Sequence, residues 1–146
     1  MIDYSGPLKM LQKKLNFLNS FGFDKLRALT ESSKLAGESL LMSFESSKTE
    51  RKIEISYLHT QHGRPSTIVI FIFNKNGESF SLEDWLEMKG KKESINLVLN
   101  TDLNILENNF LEQFASSFEK LCRGDLENII NGSQWESVPF DFKGYR

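Results

Sequence analysis

The longest unbroken apolar run of the chain lies at Ile68 to Phe73, where all six residues are β-branched or aromatic. A run of this length is typical of a buried β-strand and too short for a buried helix. Arg64-Pro65 precedes the run, and Asn74-Lys75-Asn76-Gly77 follows it. Because successive side chains of a strand point to opposite faces, we predict a central strand, Ser66 to Asn74, with both faces covered by the rest of the chain.

Alternating apolar and polar residues on either side of this run predict further strands. From Ser39 onward, the alternation indicates a hairpin that leads into the central strand. The dipeptide Asn76-Gly77 tolerates positive φ, so residues 78–80 should turn back along that strand. The alternating apolar positions are Leu40, Met42 and Phe44, then Ile53, Ile55 and Tyr57, and in a last predicted strand Ile95, Leu97 and Leu99.

Apolar residues three or four positions apart predict two helices before the first of these strands. The first helix should run roughly from Pro7 to Ser20, and Gly22 is a plausible residue to end it. Asp24 can cap a second helix, in which Leu26 and Leu29 would face inward.

Three more helices are predicted downstream. Ser81 stands before two acidic residues, as in a capping box, and should start a helix that ends at Gly90. Apolar residues recur from Leu103 to Leu121 over about five turns, which predicts a long helix. A short final helix should end at residues 131–132.

Together these elements predict one α+β domain, residues 1–146, in which a mainly antiparallel sheet of about four to five strands packs against N-terminal helices and a long C-terminal helix. A chain of 146 residues can bury one core without disulfides. The tail after residue 132 is rich in aromatic residues without a regular period. We expect Trp135, Phe140 and Phe142 of this tail to cover the sheet face of Phe71 and Phe73.

Charge and cysteine content exclude several classes of protein. The formal net charge of -2 gives no general attraction to nucleic acid or anionic lipid, and no segment approaches the ~18 apolar residues of a membrane span. Cys122 is the only cysteine, so no intrachain disulfide is possible, and we expect a cytoplasmic protein. Residues 102–146 hold eight Asp and Glu against four Lys and Arg, which makes this the acidic end.

The residues that could do chemistry lack the neighbours that chemistry needs. Cys122 falls near the negative C-terminal end of the long predicted helix, which disfavours a thiolate. His59 and His62 have no Cys or acidic residue nearby in sequence to complete a metal shell. Glu83 and Glu87 share a helix face without a neighbouring histidine or positioned cation. Since nucleophile, phosphate-loop and zinc motifs are missing as well, we expect no catalytic residues, no metal and no cofactor.

The end of the chain resembles a known family. Small bacterial immunity proteins, encoded beside polymorphic or contact-dependent-inhibition toxins, have endings that look like Ile129-Ile130-Asn131-Gly132-Ser133-Gln134-Trp135 to Pro139-Phe140-Asp141-Phe142-Lys143-Gly144-Tyr145. The length, the helical N-terminus, the antiparallel centre and the long Phe-rich helix are similar as a pattern. The resemblance implies a cytoplasmic, non-catalytic protein that binds a cognate toxin domain and blocks its active site or a surface that it needs.

An acidic surface with aromatic residues also suits the capture of a basic protein, because charge steers the encounter and buried aromatic side chains hold the complex. The expected partner is the cognate toxin domain, with a basic nuclease as one candidate, and the expected state is a monomer or weak dimer. The candidate partner-binding residues are Glu83, Asp84, Glu87, Asp125, Glu127, Trp135, Glu136 and Asp141.

Two other functions stay open. The predicted order of helices and strands is similar to that of effector chaperones of type III secretion systems, which are usually homodimers. A small enzyme using carboxylates would need a ligand-sized pocket lined by Glu83 or Glu87, together with a titratable partner.

Overall fold

An antiparallel β-sheet forms the centre of the computed structural model, which describes residues 5–33, 37–59, 66–99 and 108–138. The strands are β1 (Lys25–Ser33), β2 (Gly37–Ser46), β3 (Arg51–His59), β4 (Ser66–Asn74), β5 (Ser79–Ser81) and β6 (Val98–Leu99). The first five are neighbours in chain order, and β6 pairs with the beginning of β4. The hairpin, the predicted strand at Ser66 to Asn74 and the tight return into β5 are therefore confirmed.

Helices complete the α+β architecture. Those in the described ranges are α1 (Ser5–Lys14), α2 (Leu82–Lys89), α3 (Asn108–Cys122) and α4 (Glu127–Ile130), with 3-10 turns at Asn16–Phe21 and Lys92–Ser94. The first predicted helix is thus divided, since its second half is a 3-10 turn that ends at Gly22, where φ is 96°.

Local capping chemistry fixes α2 where the sequence predicts it. The Ser81 hydroxyl accepts a hydrogen bond from the backbone N–H of Asp84 at 3.1 Å, and Gly90 ends the helix with φ of 71°. Helix α3 is confirmed over 15 residues. Its predicted beginning at residues 101–107 lies outside the described residues, so the full length of the C-terminal helix stays a prediction.

One face of the sheet builds the core. Alternate residues of β2, β3 and β4 point to this face and are at most 5% exposed, and they form one apolar cluster with residues of α1, α2, α3 and α4. Phe118 of α3 meets Phe17 of the first 3-10 turn at 6.2 Å between ring centroids. The sheet residues of this cluster are Leu40, Met42, Phe44, Ile53, Ile55, Tyr57, Ile68, Ile70, Ile72 and Phe80.

The prediction of a second helix after Asp24 is wrong, because this segment is β1. Leu26 and Leu29 do not face inward together; their side chains are 40% and 52% exposed. A spacing of three residues fits one face of a helix, but in a strand it puts the two side chains on opposite faces. All nine residues of β1 are paired with β2, and this backbone pairing prevails over a helix signal of only two leucines.

In the described part of the chain, Trp135 does not cover the second face of the sheet as predicted. On β4, Val69 and Phe73 are only half-buried and Phe71 is 39% exposed. The ring of Trp135 lies 5.2 Å from that of Phe80, on the face opposite to Phe71. Phe140 and Phe142 lie outside the described residues. We call the side of the sheet that carries Val69, Phe71 and Phe73 the open face.

A buried arginine, Arg51, connects the C-terminal segment, residues 123–138, to the turn between β2 and β3. The Nε of Arg51 donates to the carbonyl of Ile129 at 2.8 Å, and its Nη2 donates to the carbonyl of Gln134 at 2.9 Å. The guanidinium also lies 5.1 Å from the ring centroid of Trp135. Because Arg51 is only 9% exposed, these bonds replace the water that its charge has lost.

A glycine makes this approach possible. Gly132 has φ of 86°, and a Cβ placed there would lie 2.5 Å from the carbonyl oxygen of Thr49. Neither the backbone angle nor the space suits a larger residue. The position of the residues that follow, Gln134 to Val138, therefore depends on this close contact between Gly132 and the β2–β3 turn.

Candidate protein-binding site

Two neighbouring parts of the fold provide the predicted partner-binding residues. Helix α2 contributes Glu83, Asp84 and Glu87, and the segment 123–138 contributes the others that the structure describes. The two parts are joined by two ion pairs that are described below. We call the surface that they form together the α2/C-terminal surface. Its predicted residues are Glu83, Asp84, Glu87, Asp125, Glu127, Trp135 and Glu136, whereas Asp141 lies outside the described residues.

Glu136 connects the C-terminal segment to α2. Its Oε2 pairs with the Nζ of Lys89 at 2.8 Å and accepts a hydrogen bond from the indole Nε1 of Trp85 at 3.0 Å. The hydrogen bond from Lys89 lowers the pKa of Glu136 below its usual value, and the bond from Trp85 adds to this. The carboxylate is thus occupied by its own protein, and its main contribution to the surface is to hold Trp85 and Lys89 in place.

Asp125 makes the second connection. Its Oδ2 lies 2.8 Å from the Nζ of Lys91, just beyond the end of α2. Both side chains are nearly half exposed, so water and salt screen the pair and it contributes little to stability. Asp125 does not cap α4, which begins two residues later with Leu126 as its N-cap.

Trp135 is less available than predicted. Its ring packs against Phe80 at 5.2 Å and beneath the guanidinium of Arg51, and its side chain is half-buried. Most of its surface therefore belongs to the core. Only the outer part of the ring can touch a partner.

Besides Asp125, the exposed acids of the surface are Glu83 and Glu127. Both are exposed, Glu83 in the first turn of α2 and Glu127 at the start of α4, whereas Asp84 and Glu87 are half-buried. Exposed carboxylates of this kind act on a partner mainly through long-range attraction.

A cleft lies beside Glu83. It has a volume of about 400 Å³ and an opening between α2 and the chain that leads into β6. Sequence reasoning missed this cleft, because residues 92–98 come against α2 only when β6 pairs with β4, a contact that no local pattern encodes. The available signal was the alternation of Ile95 and Leu97, which predicts a strand but is used to bury two loop residues. The cleft is lined by Glu83, Leu86, Lys92, Glu93, Ile95, Asn96, Leu97 and Val98.

The lining of the cleft combines apolar and charged residues, as in a peptide-binding groove, and resembles a catalytic centre less. The largely buried residues Leu86, Ile95 and Leu97 form its floor, and Glu83, Lys92 and Glu93 are exposed. Carboxylates that act as general acids or bases are usually withdrawn from water, which shifts their protonation. The arrangement can accommodate an apolar side chain and attract a basic one next to it.

Cys122 and the two histidines are the other residues whose side chains could take part in chemistry. Cys122 is fully buried at the end of α3, and burial raises the pKa of its thiol, so it is a core residue. His59 ends β3, and His62 lies outside the described residues. Throughout the described ranges, no three His, Cys, Asp or Glu side chains are grouped to hold a metal ion.

Comparisons with protein-family models, curated proteins and solved structures gave no match to this chain. Of the helices in the described ranges, none has the length and apolar character needed to cross a membrane.

Proposed function

We propose that the protein is an immunity protein, which binds a cognate bacterial toxin domain in the cytoplasm and blocks the toxin's active site or a surface that the toxin needs. The protein itself performs no catalysis in this proposal. The resemblance of residues 129–145 to the endings of small immunity proteins gives the functional class. The observation that carries the proposal is the position of the cleft at Glu83, an exposed acid of the α2/C-terminal surface.

The cleft and the acids supply different parts of a binding energy. Glu83 and Glu127 would attract a basic domain and raise the rate of encounter. The apolar floor of the cleft would receive an anchoring side chain, and such desolvated contacts usually provide most of the affinity in protein interfaces. Glu83 belongs to both features, so a basic residue next to an apolar one on the toxin would fit here.

Contacts within the protein hold this surface in place, which also supports the proposal. The ion pair of Glu136 and the hydrogen bonds of Arg51 fix the C-terminal segment against the sheet before any partner arrives. A surface ordered in advance loses little conformational entropy on binding, which favours the high affinity that inhibition of a toxin requires.

The experiment is co-purification with the protein encoded by the adjacent upstream gene, together with a growth-protection assay. Absence of both a complex and protection would reject the function. For the site, the double variant Glu83→Lys and Glu127→Lys should bind the toxin at least about tenfold more weakly, mainly through a slower association rate. Glu112→Lys is the matched control, because Glu112 is an exposed acid of α3 about ten residues, or roughly 15 Å, before the end of that helix. Equal binding by the double variant would reject the site.

A second function is favoured by the open face. A type III effector chaperone would hold an unfolded segment of its partner, and Phe71, which is 39% exposed beside the half-buried Val69 and Phe73, offers it an apolar surface. Hydrogen exchange of the bound partner separates the two functions, since an immunity protein binds a folded, protected domain and a chaperone binds an unprotected segment. Phe71→Ser should weaken only the second kind of complex.

The carboxylate enzyme ranks third. The cleft has the residue types that such an enzyme needs, but Glu83, Lys92 and Glu93 are all exposed. Water therefore competes with any substrate for each of these groups. Retention of toxin protection by the Glu93→Gln variant is the outcome expected for a binding protein.

A further inference from the structure

The outer edge of β1 offers an interaction surface that the proposed function does not use. Within the described ranges, β1 pairs only with β2, so the opposite side of its backbone has no partner strand. Unpaired N–H and C=O groups along a strand form a template for another strand. Helix α2 follows β5 at the other end of the strand order, so the two surfaces are far apart in the sheet.

This edge carries the charged residues Lys25, Arg27 and Glu31 but lacks the other usual protections against pairing. Edge strands are commonly short or interrupted by proline or a bulge, whereas β1 has nine residues, no proline and unbroken pairing with β2. It also exposes apolar side chains on both faces, with Leu26 40% and Leu29 52% exposed. A second strand placed alongside would cover part of both.

The sequence of β1 is complementary to itself when it is read in the opposite direction. If two copies pair in antiparallel fashion with Leu29 opposite Leu29, all nine positions from 25 to 33 find a partner. Position 27 then faces position 31 twice, and the sequence has arginine at 27 and glutamate at 31. Centring the pair on Ala28 instead leaves the last two positions of the strand without a partner in the other β1 and puts Arg27 opposite Leu29. Both registers make two pairs of opposite charge, since the register at Ala28 puts Lys25 opposite Glu31, but only the register at Leu29 pairs all nine positions of the strand.

We propose that β1 pairs with β1 of a second copy of the chain, antiparallel and centred on Leu29, so that the two sheets become one continuous sheet around a two-fold axis. Both kinds of antiparallel residue pair can lie on such an axis, so the register needs no change in either strand. The α2/C-terminal surfaces remain free at the two far ends. A homodimer is the usual state of the effector chaperones, and a weak dimer is also expected for the immunity protein, so the test of this edge is kept separate from the test of the function.

Charge exchange tests the register. Molecular mass in solution is measured by light scattering or ultracentrifugation at about 100 µM protein, where a Kd of ~10 µM would place most chains in dimers. Arg27→Glu alone and Glu31→Arg alone each create two like-charged pairs and should weaken the dimer by about tenfold or more. The double variant restores opposite charges and should restore the dimer. Lys25→Glu is the control, since position 25 faces a serine in this register but would face Glu31 in the register centred on Ala28.

A crosslink tests the geometry independently. Residues opposite each other in an antiparallel pair have Cα atoms about 4.5 to 5.5 Å apart, within the range of a disulfide. Oxidised L29C protein should therefore form a covalent dimer, and the buried Cys122 should not take part. In the L26C control, the two introduced thiols would be six positions apart along the strands, about 20 Å, and should not join.

Two results would overturn the proposal. A wild-type chain that stays monomeric at the highest concentration, with no faster crosslinking of L29C than of L26C, means that this edge does not pair with itself. A dimer that neither single charge variant weakens means that the two copies meet elsewhere. Toxin binding that persists in the monomeric variants keeps the proposed function intact in either case.

Discussion

Replacement of Gly132 by alanine tests how closely the C-terminal segment approaches the β2–β3 turn. A left-handed backbone costs a residue with a Cβ about 1 to 2 kcal/mol, of which roughly 0.4 to 1 is returned because alanine restricts the unfolded chain. At Gly132 the new Cβ would also lie 2.5 Å from the oxygen and 3.1 Å from the Cα of Thr49. Both are backbone atoms, so relief requires the turn or the segment to move, at about 1 to 3 kcal/mol. We expect a total loss of about 2 to 4 kcal/mol.

Gly77 provides the matched control for this measurement. Its φ is 81°, close to the 86° of Gly132, but nothing lies within 4 Å of its hypothetical Cβ. Gly77→Ala should therefore lose only about 1 kcal/mol, the backbone contribution alone. Urea unfolding, followed by tryptophan fluorescence, gives both free energies. Equal losses for the two variants would refute the close contact between Gly132 and Thr49, and with it the way in which the C-terminal segment is held.

Three further outcomes are expected. Arg51→Met should lower the free energy of unfolding by about 2 to 4 kcal/mol, because two charged hydrogen bonds to carbonyls are lost. The same change at the exposed Arg123 should cost under about 1 kcal/mol. Similar losses for the two variants in urea unfolding would contradict this role for Arg51. Glu136→Gln should cost about 0.5 to 1 kcal/mol near pH 7, where Glu136 is charged and paired with Lys89. The pKa of Glu136 is lowered in the folded protein, so the wild type is more stable than the Gln variant above the unfolded pKa, near 4.5. This difference in stability should disappear as the pH falls through the folded pKa. A difference that persists at about pH 2 would count against the ion pair of Glu136 with Lys89. Cys122 should react with a thiol reagent only as fast as the protein unfolds, and rapid labelling of the native protein would show that it is accessible.

Elements with local chemistry or strict alternation could be predicted from the sequence. Ser81 caps α2 through a residue three positions away, and Gly90 ends it, so both signals lie within the element itself. The apolar alternation of β2 and β3 corresponds residue by residue to the buried face. These parts of the fold depend little on distant contacts.

Elements defined by distant pairing could not be predicted. Two leucines in β1 suit a helix as well as a strand, and only the pairing with β2 decides between them. The apolar run of β4 predicts burial on both faces, yet folded proteins leave much apolar surface in water, and Phe71 belongs to it. The candidate site divides in the same way. The sequence indicates the acids of α2, but neither the pairing of Glu136 with Lys89 nor the cleft beside Glu83 follows from a local pattern.

The bonds of Arg51 have a consequence for synthesis of the protein. The carbonyls that receive its guanidinium belong to residues 78 and 83 positions further along the chain. While a ribosome is making the intervening residues, the guanidinium has only the neighbouring carbonyls of Thr49 and Glu50 as acceptors, so its hydrogen bonding is incomplete. Translation that stops before Gln134 should leave products that quality-control proteases recognise and remove, and only chains that extend past this point should accumulate.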